Sequence, residues 1–385
     1  MYAPALSSMQ REFEVSASFL NLTMFLFILV SAVAIVVAAP LSDKFGRKPV
    51  LVGSSAIFAV SSALCAVSPS VGVLTVFRMG EAIGFGGITT LATAIIKDAF
   101  SKEDGKLGMT MLQSLIIVGP ALAPFIGSFA LSLWSWRGIF WMLALFGSIA
   151  TVLSLLVSET LPSEHRLTGT VGNSLKSTLD ISRHLARKPH FLPLALFLGV
   201  AGVPYFAFIG SVSYTLLDEF GMSYLGYSCI YAAVCLLSVV APFIYMRISS
   251  RFSSRTICII AVVVVTISCG LMFTIGQQEP WLYFAALSPY IIIEGIVRPM
   301  VFIELLDQPP SEVAAASAFL NFLYTVLSSF GTVLGTLPWP SYVIGLGIIL
   351  GLTAVALLVL LIAGTRKVPP DVAEQHSSGY EDAEG

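Results

Sequence analysis

Apolar residues follow one another along this chain in long unbroken runs, and polar residues collect in the gaps between them. About 20 apolar residues in a helix cross a hydrocarbon layer roughly 30 Å thick, so runs of that size predict membrane-spanning helices. Eleven such runs occur, near 18–39, 49–68, 72–96, 107–132, 137–157, 191–213, 223–246, 255–276, 281–300, 312–336 and 340–363. One long polar gap, Ser158–Lys188, rich in Ser, Thr, His, Lys and Arg, divides them into two groups. The pattern predicts an all-α polytopic membrane protein with an N-terminal bundle over 1–157, a central loop over 158–190 and a C-terminal bundle over 191–363. The remainder, 364–385, is acidic, small and polar and is expected to be a disordered tail.

Composition agrees with a chain whose solvent is lipid. Of the 385 residues, 56% are hydrophobic and only 11% charged, too much apolar surface for one globular core and too few charges for a soluble exterior. The formal net charge of −2 hides a segregation and carries no indication of nucleic-acid binding. Alternate gaps are basic: Lys44, Arg47 and Lys48; Lys97, Lys102 and Lys106; the central gap with Arg166, Lys176, Arg183, Arg187 and Lys188; Arg247, Arg251 and Arg255; Arg298; Arg366 and Lys367. The opposite gaps hold only Arg11 and Arg137. Juxtamembrane Lys and Arg stay on the cytoplasmic side, so the central loop and the C-terminus are expected in the cytoplasm of a multi-pass protein of the cell membrane, with Met1–Ser16 outside. That layout needs an odd number of spans, which is unusual for a protein built as two similar halves. The five cysteines, Cys65, Cys229, Cys235, Cys258 and Cys269, fall inside apolar runs without metal-ligand spacing and read as small buried residues.

The loop after the first run is the most specific segment. In Ala39-Pro40-Leu41-Ser42-Asp43-Lys44-Phe45-Gly46-Arg47-Lys48-Pro49, Gly46 permits a tight turn, Asp43 suits the positive end of a helix and Arg47 suits a carboxylate on a neighbouring span. The stretch resembles the signature loop of the major facilitator superfamily, with Ala39 where that pattern opens on Gly. Further pieces resemble the drug:proton antiporters of the bicyclomycin and chloramphenicol resistance type: Leu74–Gly84 with Arg78, Gly119–Gly127, Trp136-Arg137-Gly138-Ile139-Phe140, Glu159-Thr160-Leu161-Pro162, and Tyr205 through Ser211 to Gly221. Met1–Leu6 looks like the outer end of that subgroup's first helix. The resemblance therefore implies two six-helix bundles with about 11 complete spans present here and most of the first helix upstream, through a mis-set start or a shortened protein. It also implies a conformational latch of Asp43, Gly46, Arg47, Lys48 and Asp98. Asp43 would face the span opening near Ser311 and Arg47 would reach Asp98, closing the cytoplasmic side in the outward-open state. The plainer alternative is a static loop that only obeys the charge rule.

Charges inside apolar runs cost about 2.5–3.5 kcal/mol each at mid-helix on insertion scales and rarely face lipid. Arg78 and Glu81 are three residues apart on one helical face, and Glu294 precedes Arg298 by one turn. Either carboxyl is a candidate proton site; the alternatives are a permanent Arg78–Glu81 pair and a Glu294–Arg298 pair. Gly119, Pro120, Pro124 and Gly127 bend or thin their helix, or let it pack closely. Tyr205 and Asn321, with neighbouring aromatic residues such as Phe206, Phe208 and Tyr324, are candidates for a broad, mainly apolar cavity wall or for ordinary packing.

No nucleotide-binding glycine loop, metal-ligand set or nucleophile with partners occurs in the sequence, which argues against an enzyme. The expected function is proton-coupled export of small amphipathic compounds or drugs by alternating access. No cofactor beyond the proton gradient is expected; the expected partners are small-molecule substrate, protons and the lipid bilayer, with a monomeric chain. Alternatives are an exporter of a sugar or amino-acid derivative, and a transport-dead relative serving as sensor or scaffold.

Overall fold

The computed structural model of the chain describes residues 2–100, 102–162, 164, 166 and 169–365, with some side chains of the fifth long segment and a few others outside the described set. Met1 and, from Arg366 onward, the tail expected over 364–385 lie outside these residues. A 3₁₀ turn at Ala3–Ala5 leads into α1 (Leu6–Phe13), followed by α2 (Ala17–Phe45), α3 (Arg47–Ala66), α4 (Val71–Ala99), α5 (Lys102–Leu133) and α6 (Trp136–Leu156). After the polar gap come α7 (Val171–Ala186), α8 (Phe191–Ala201), α9 (Val203–Ser213) with a terminal π turn at Tyr214–Glu219, α10 (Tyr224–Ile248), α11 (Ser254–Thr274), α12 (Pro280–Leu305), α13 (Pro310–Leu334) and α14 (Tyr342–Thr365). Ten of these, with α8, α9 and the π turn taken as one span, are long and apolar enough to cross a membrane among the described residues. The described part of α5 adds an apolar segment at Leu122–Leu133.

Local chemistry fixes where the helices start. Ser16, Ser70, Thr170, Ser223 and Ser253 each precede a helix, and each side-chain oxygen accepts a hydrogen bond from a free backbone N–H of the first turn. With little hydrophobic drive between helices in lipid, association relies on close packing of small residues. A Cβ built on Gly84 of α4 would lie 2.6 Å from the Phe58 backbone nitrogen, so α3 and α4 touch backbone to backbone there.

Helices α1 to α4 and α6 pack together, as do α8 to α14; the two groups meet directly along α2 with α13 and α5 with α10, and α7 lies against both α2 and α13. The larger apolar core fills the second group, around Phe208, Tyr227, Tyr283 and Tyr290; the smaller lies in the first, around Leu6, Leu74, Trp136 and Phe140. Large side chains such as Leu156, Leu225 and Met246 point outward, as a lipid-facing surface requires.

The segment expected as a central loop over 158–190 contains α7. Its leucines at 175, 179 and 185 lie within a helical repeat, Leu185 is buried, and Leu175 and Leu179 border spaces between α2 and α13. The charged residues of that gap outnumber these leucines, so hydropathy alone hides the helix.

Candidate translocation cleft and its charged clusters

Helices α2 and α13 run antiparallel through the middle of the molecule and set the geometry of the site. At one end they are zipped together: Ser18 Oγ donates to the Thr336 carbonyl, and the Phe25 and Phe330 rings lie 5.2 Å apart. Toward the other end, which carries the basic loops, they part around a cavity of about 580 Å³. On α2 the cavity wall runs from Ala32 to Asp43, and on α13 from Ala314 to Thr325, with Thr90 of α4 and Ser174 and Thr178 of α7 completing it. At a rise of about 1.5 Å per residue each wall is roughly 16 Å deep. Other polar contacts between the two halves gather at the zipped end: Ser7 Oγ donates to Asp218 at 2.7 Å, Asn21 Nδ2 to the Tyr214 hydroxyl at 3.3 Å, and Ser228 Oγ to Ser128 Oγ at 3.0 Å.

The basic loop at the cavity mouth forms one connected cluster. Arg47 Nε donates to Asp98 at 2.8 Å, and its Nη1 donates to Asp43 at 2.5 Å and to Ser42 Oγ at 2.6 Å. Glu159 accepts the backbone N–H groups of Arg47 at 2.8 Å and Lys48 at 3.3 Å, capping the start of α3. Gly46 holds φ +102° and ψ 158°, a region open essentially to glycine, and a Cβ there would collide with the Glu159 carboxylate. Partial burial works to raise the Glu159 carboxyl, but the backbone donors of Leu161, Arg47 and Lys48, with Arg166 nearby, outweigh it and hold it below its ordinary value. Asp43 also lines the cavity; the Ser311 side chain, its expected counterpart, lies outside the described residues. The Arg47–Asp98 pair joins α3 to α4, both in the first half, and is intact beside the open cavity.

Two buried carboxylates stand away from the cleft. Glu81 accepts from Arg78 Nη1 at 2.7 Å and from Ser62 Oγ at 2.9 Å, and the Arg78 guanidinium is sandwiched between Tyr2 and Phe27 at 4.5 and 4.1 Å. Glu294 accepts from the Tyr324 hydroxyl at 2.9 Å. No ion pair joins Glu294 to a described cation: Arg298, the partner considered from the sequence, lies instead over the Tyr324 ring at 4.6 Å. Of the five residues assigned to a proton or substrate cavity, Asn321 lines the cleft. Arg78 and Glu81 are walled off by aromatic rings, and Glu294 and Tyr205 lie inside the second half.

Gly119, Pro120, Pro124 and Gly127 all lie within α5, which continues through them to Leu133. Among the described residues nothing lies within 4 Å of a Cβ built on Gly119; Pro124 and Gly127 are buried, and the Pro120 side chain is outside the described residues.

The profile of the Major Facilitator Superfamily matches residues 1–332. The chain belongs to that superfamily. Relatives of this major facilitator include the uncharacterized MFS-type transporter YdgK of Bacillus subtilis, 26% identical over 86% of this chain and 82% of its own length. Another is the multidrug resistance protein MdtL of Klebsiella pneumoniae, 23% identical over 97% of this chain and 93% of its own. Among solved structures, the nucleoside transporter NupG superposes with a TM-score of 0.76 at 12% identity, covering 94% of both chains, which shows the shared fold. The protein is thus a multi-pass membrane protein with the fold of a transporter family rather than of an enzyme.

Sequence reading passed over several residues that complete this major facilitator's clusters. Glu12 accepts from Trp136 Nε1 at 2.6 Å and pairs with Arg137, joining α1 to α6 at the zipped end. Ser62 gave no signal among many small residues. Tyr290 was one aromatic among many, yet it follows Pro289 and precedes Glu294 by one turn, a spacing that the sequence does contain.

Proposed function

We propose that this protein is a proton-coupled exporter of small amphipathic compounds that works by alternating access, with the basic end in the cytoplasm. The observation that carries the reading is the α2–α13 pair, closed at one end and parted at the other by a 580 Å³ cavity. A cavity reached from one side only, between two separately packed halves, is what a rocking carrier presents in one of its states. Its wall mixes Ala32, Ile35, Val36 and Phe322 with Thr90, Thr178, Asn321 and Thr325, which suits a compound with a large apolar body and a few hydrogen-bonding groups. The multidrug names of relatives such as MdtL point the same way.

Coupling is assigned to Glu294. It is a buried carboxylate hydrogen-bonded by a neutral hydroxyl, with Arg298 near but not ion-paired to it, so taking up a proton removes a buried charge and breaks no salt bridge. Glu81 is the weaker candidate, since protonating it would leave Arg78 charged and buried. The test is efflux of lipophilic dyes from proteoliposomes with and without an imposed proton gradient. Wild-type protein is expected to concentrate dye against its gradient, and Glu294→Gln only to equilibrate it. Gradient-driven accumulation unchanged in Glu294→Gln would remove Glu294 from the mechanism; no movement of any dye by wild type would reject the drug-export reading.

A further inference from the structure

The α8–α9 span bends where its ladder of backbone hydrogen bonds is interrupted. Pro204 has no N–H to offer the Val200 carbonyl, and its ring crowds that carbonyl. One residue further on, a side chain from another helix stands inside the ladder. The Tyr290 hydroxyl of α12 accepts from the Tyr205 N–H at 2.8 Å and donates to the Ala201 carbonyl at 2.8 Å, the two groups that a continuous helix would join to each other. Tyr290 is fully buried, and its hydroxyl satisfies both groups.

The same face of α12 carries Tyr290, Glu294 and Arg298 at intervals of four residues, between Pro289 and Pro299. Groups around Glu294 come from three helices: Tyr205 of α9, Tyr324 of α13, and Tyr290 and Arg298 of α12 itself, with Cys235 of α10 beyond Tyr205. Beyond the bend, α9 lies backbone to backbone on α13: a Cβ on Gly331 would be 2.8 Å from the Ala207 nitrogen, and one on Gly210 2.7 Å from the Thr332 carbonyl. The bend is thus joined through Tyr290 to the helix that bears Glu294, and through α9 to the helix that walls the cleft.

We propose that Tyr290 is a positioning residue that ties the bend of the α8–α9 span to the hydrogen-bonding state of Glu294. A hydrogen bond is lost once its heavy atoms separate beyond about 3.5 Å, so a shift of α12 by under about 1 Å suffices to withdraw the hydroxyl. When Glu294 gains a proton it becomes a donor as well as an acceptor and its bond with Tyr324 rearranges. The resulting movement of α12 pulls Tyr290 out, the Tyr205 N–H turns to the Ala201 carbonyl, and the bend straightens. Loss of the proton reverses the exchange. The inference rests on the reading of Glu294 as the proton site.

Amide hydrogen exchange on the full-length protein in lipid nanodiscs tests it without any transported compound. Tyr290→Phe, whose ring still stands between α9 and α12 but offers no hydroxyl, leaves the Tyr205 N–H without its partner and is expected to speed exchange in peptides covering 202–209 by up to about tenfold, the range one hydrogen bond supports, with peptides of α3 and α6 unchanged. Glu294→Gln is expected to change exchange at the bend when Tyr290 is present and to add nothing in the Tyr290→Phe background. Equal effects of Glu294→Gln in both backgrounds, or none in either, overturn the proposal, as does unaltered exchange at the bend in Tyr290→Phe. Should Tyr290→Phe not accumulate as folded protein, the other two proteins decide. Exchange over 202–209, corrected for its intrinsic pH dependence, must respond to pH in wild type and not in Glu294→Gln. Loss of gradient-driven efflux in Glu294→Gln with no change at the bend would sink this coupling while leaving the proton site standing.

Discussion

Helices α4 and α12 each carry a buried carboxylate beside an arginine of the same helix, and the two pairs are built in opposite ways. On α4 the spacing is three residues, the Arg78 guanidinium meets Glu81 at 2.7 Å, a serine supplies a second donor, and aromatic rings close over the cation. On α12 the spacing is four, the arginine turns away onto the Tyr324 ring, and Glu294 keeps a hydrogen bond from that tyrosine. The first arrangement has one good charge state, because moving either partner or adding a proton leaves a buried charge uncompensated. The second tolerates two, since the carboxyl's nearest partner is a hydroxyl that donates or accepts. A charge inside a span is therefore no sufficient sign of a working proton site; what its partner can do decides.

The most severe way to break this comparison is to remove the cation of the α4 pair. Arg78→Leu is expected to cost about 3–5 kcal/mol, the price of stranding a buried charge, and to lower the yield of folded protein. Arg78→Leu with Glu81→Leu should recover most of that loss, since a buried ion pair and an apolar pair of similar volume differ little. Thermal unfolding followed by size-exclusion chromatography reads both. A single variant as stable as wild type would show that Glu81 is not held as described.

Next in size is the loop at the cleft mouth, whose ion pair joins two helices of the first half. Gly46→Ala is expected to cost about 1–3 kcal/mol, because alanine does not adopt this φ and its methyl group would displace Glu159 from the start of α3. Faster cleavage of the basic end by a protease, with the zipped end unaffected, is the accompanying sign. If Gly46→Ala were neutral, Gly46 and Glu159 would not hold the loop as described, and it would be free to rearrange.

Glu294→Gln sharpens the comparison from the other side. The glutamine amide oxygen still accepts from Tyr324, so stability is expected to change by less than about 1 kcal/mol in the same unfolding assay. A loss as large as that of Arg78→Leu would mean that Glu294 carries a structural charge after all.

Much of the architecture was legible because lipid imposes a simple rule: the eleven apolar runs foreshadow the long helices to within a few residues, and the signature loop brought Arg47 and Asp98 together by motif. The Arg78–Glu81 contact followed from helical spacing alone. Most of what escaped the sequence shares one physical cause, contact between segments far apart in the chain. The turning of Arg298 onto Tyr324 of α13, the insertion of Tyr290 into the α8–α9 ladder, and the capping of α3 by Glu159 across 112 positions each depend on where another helix comes to lie. Helix α7 escaped for a local reason, since its few leucines are outnumbered by charged and hydroxyl residues.

The smallest expected effect lies at the zipped end and guards against misreading pH data from the second half. Burial works to raise the Glu12 carboxyl, but hydrogen bonds from Arg137 and Trp136 prevail and hold it below its ordinary value of 4.5. A carboxyl lowered by folding stabilises the folded state above its ordinary value, and that contribution is lost as the pH falls through the lowered one. The clasp between α1 and α6 is therefore expected to weaken below pH 4.5. The change should be slight, because the Glu12 side chain is 44% exposed and its ion pair is screened by water. Glu12→Gln should flatten the acid limb of a thermal-stability profile taken from neutral to about pH 2 without changing the response of the α8–α9 bend. A pH response of the bend that disappears in Glu12→Gln but persists in Glu294→Gln would transfer proton sensing to the zipped end, and the contrast between α4 and α12 would then bear on stability alone.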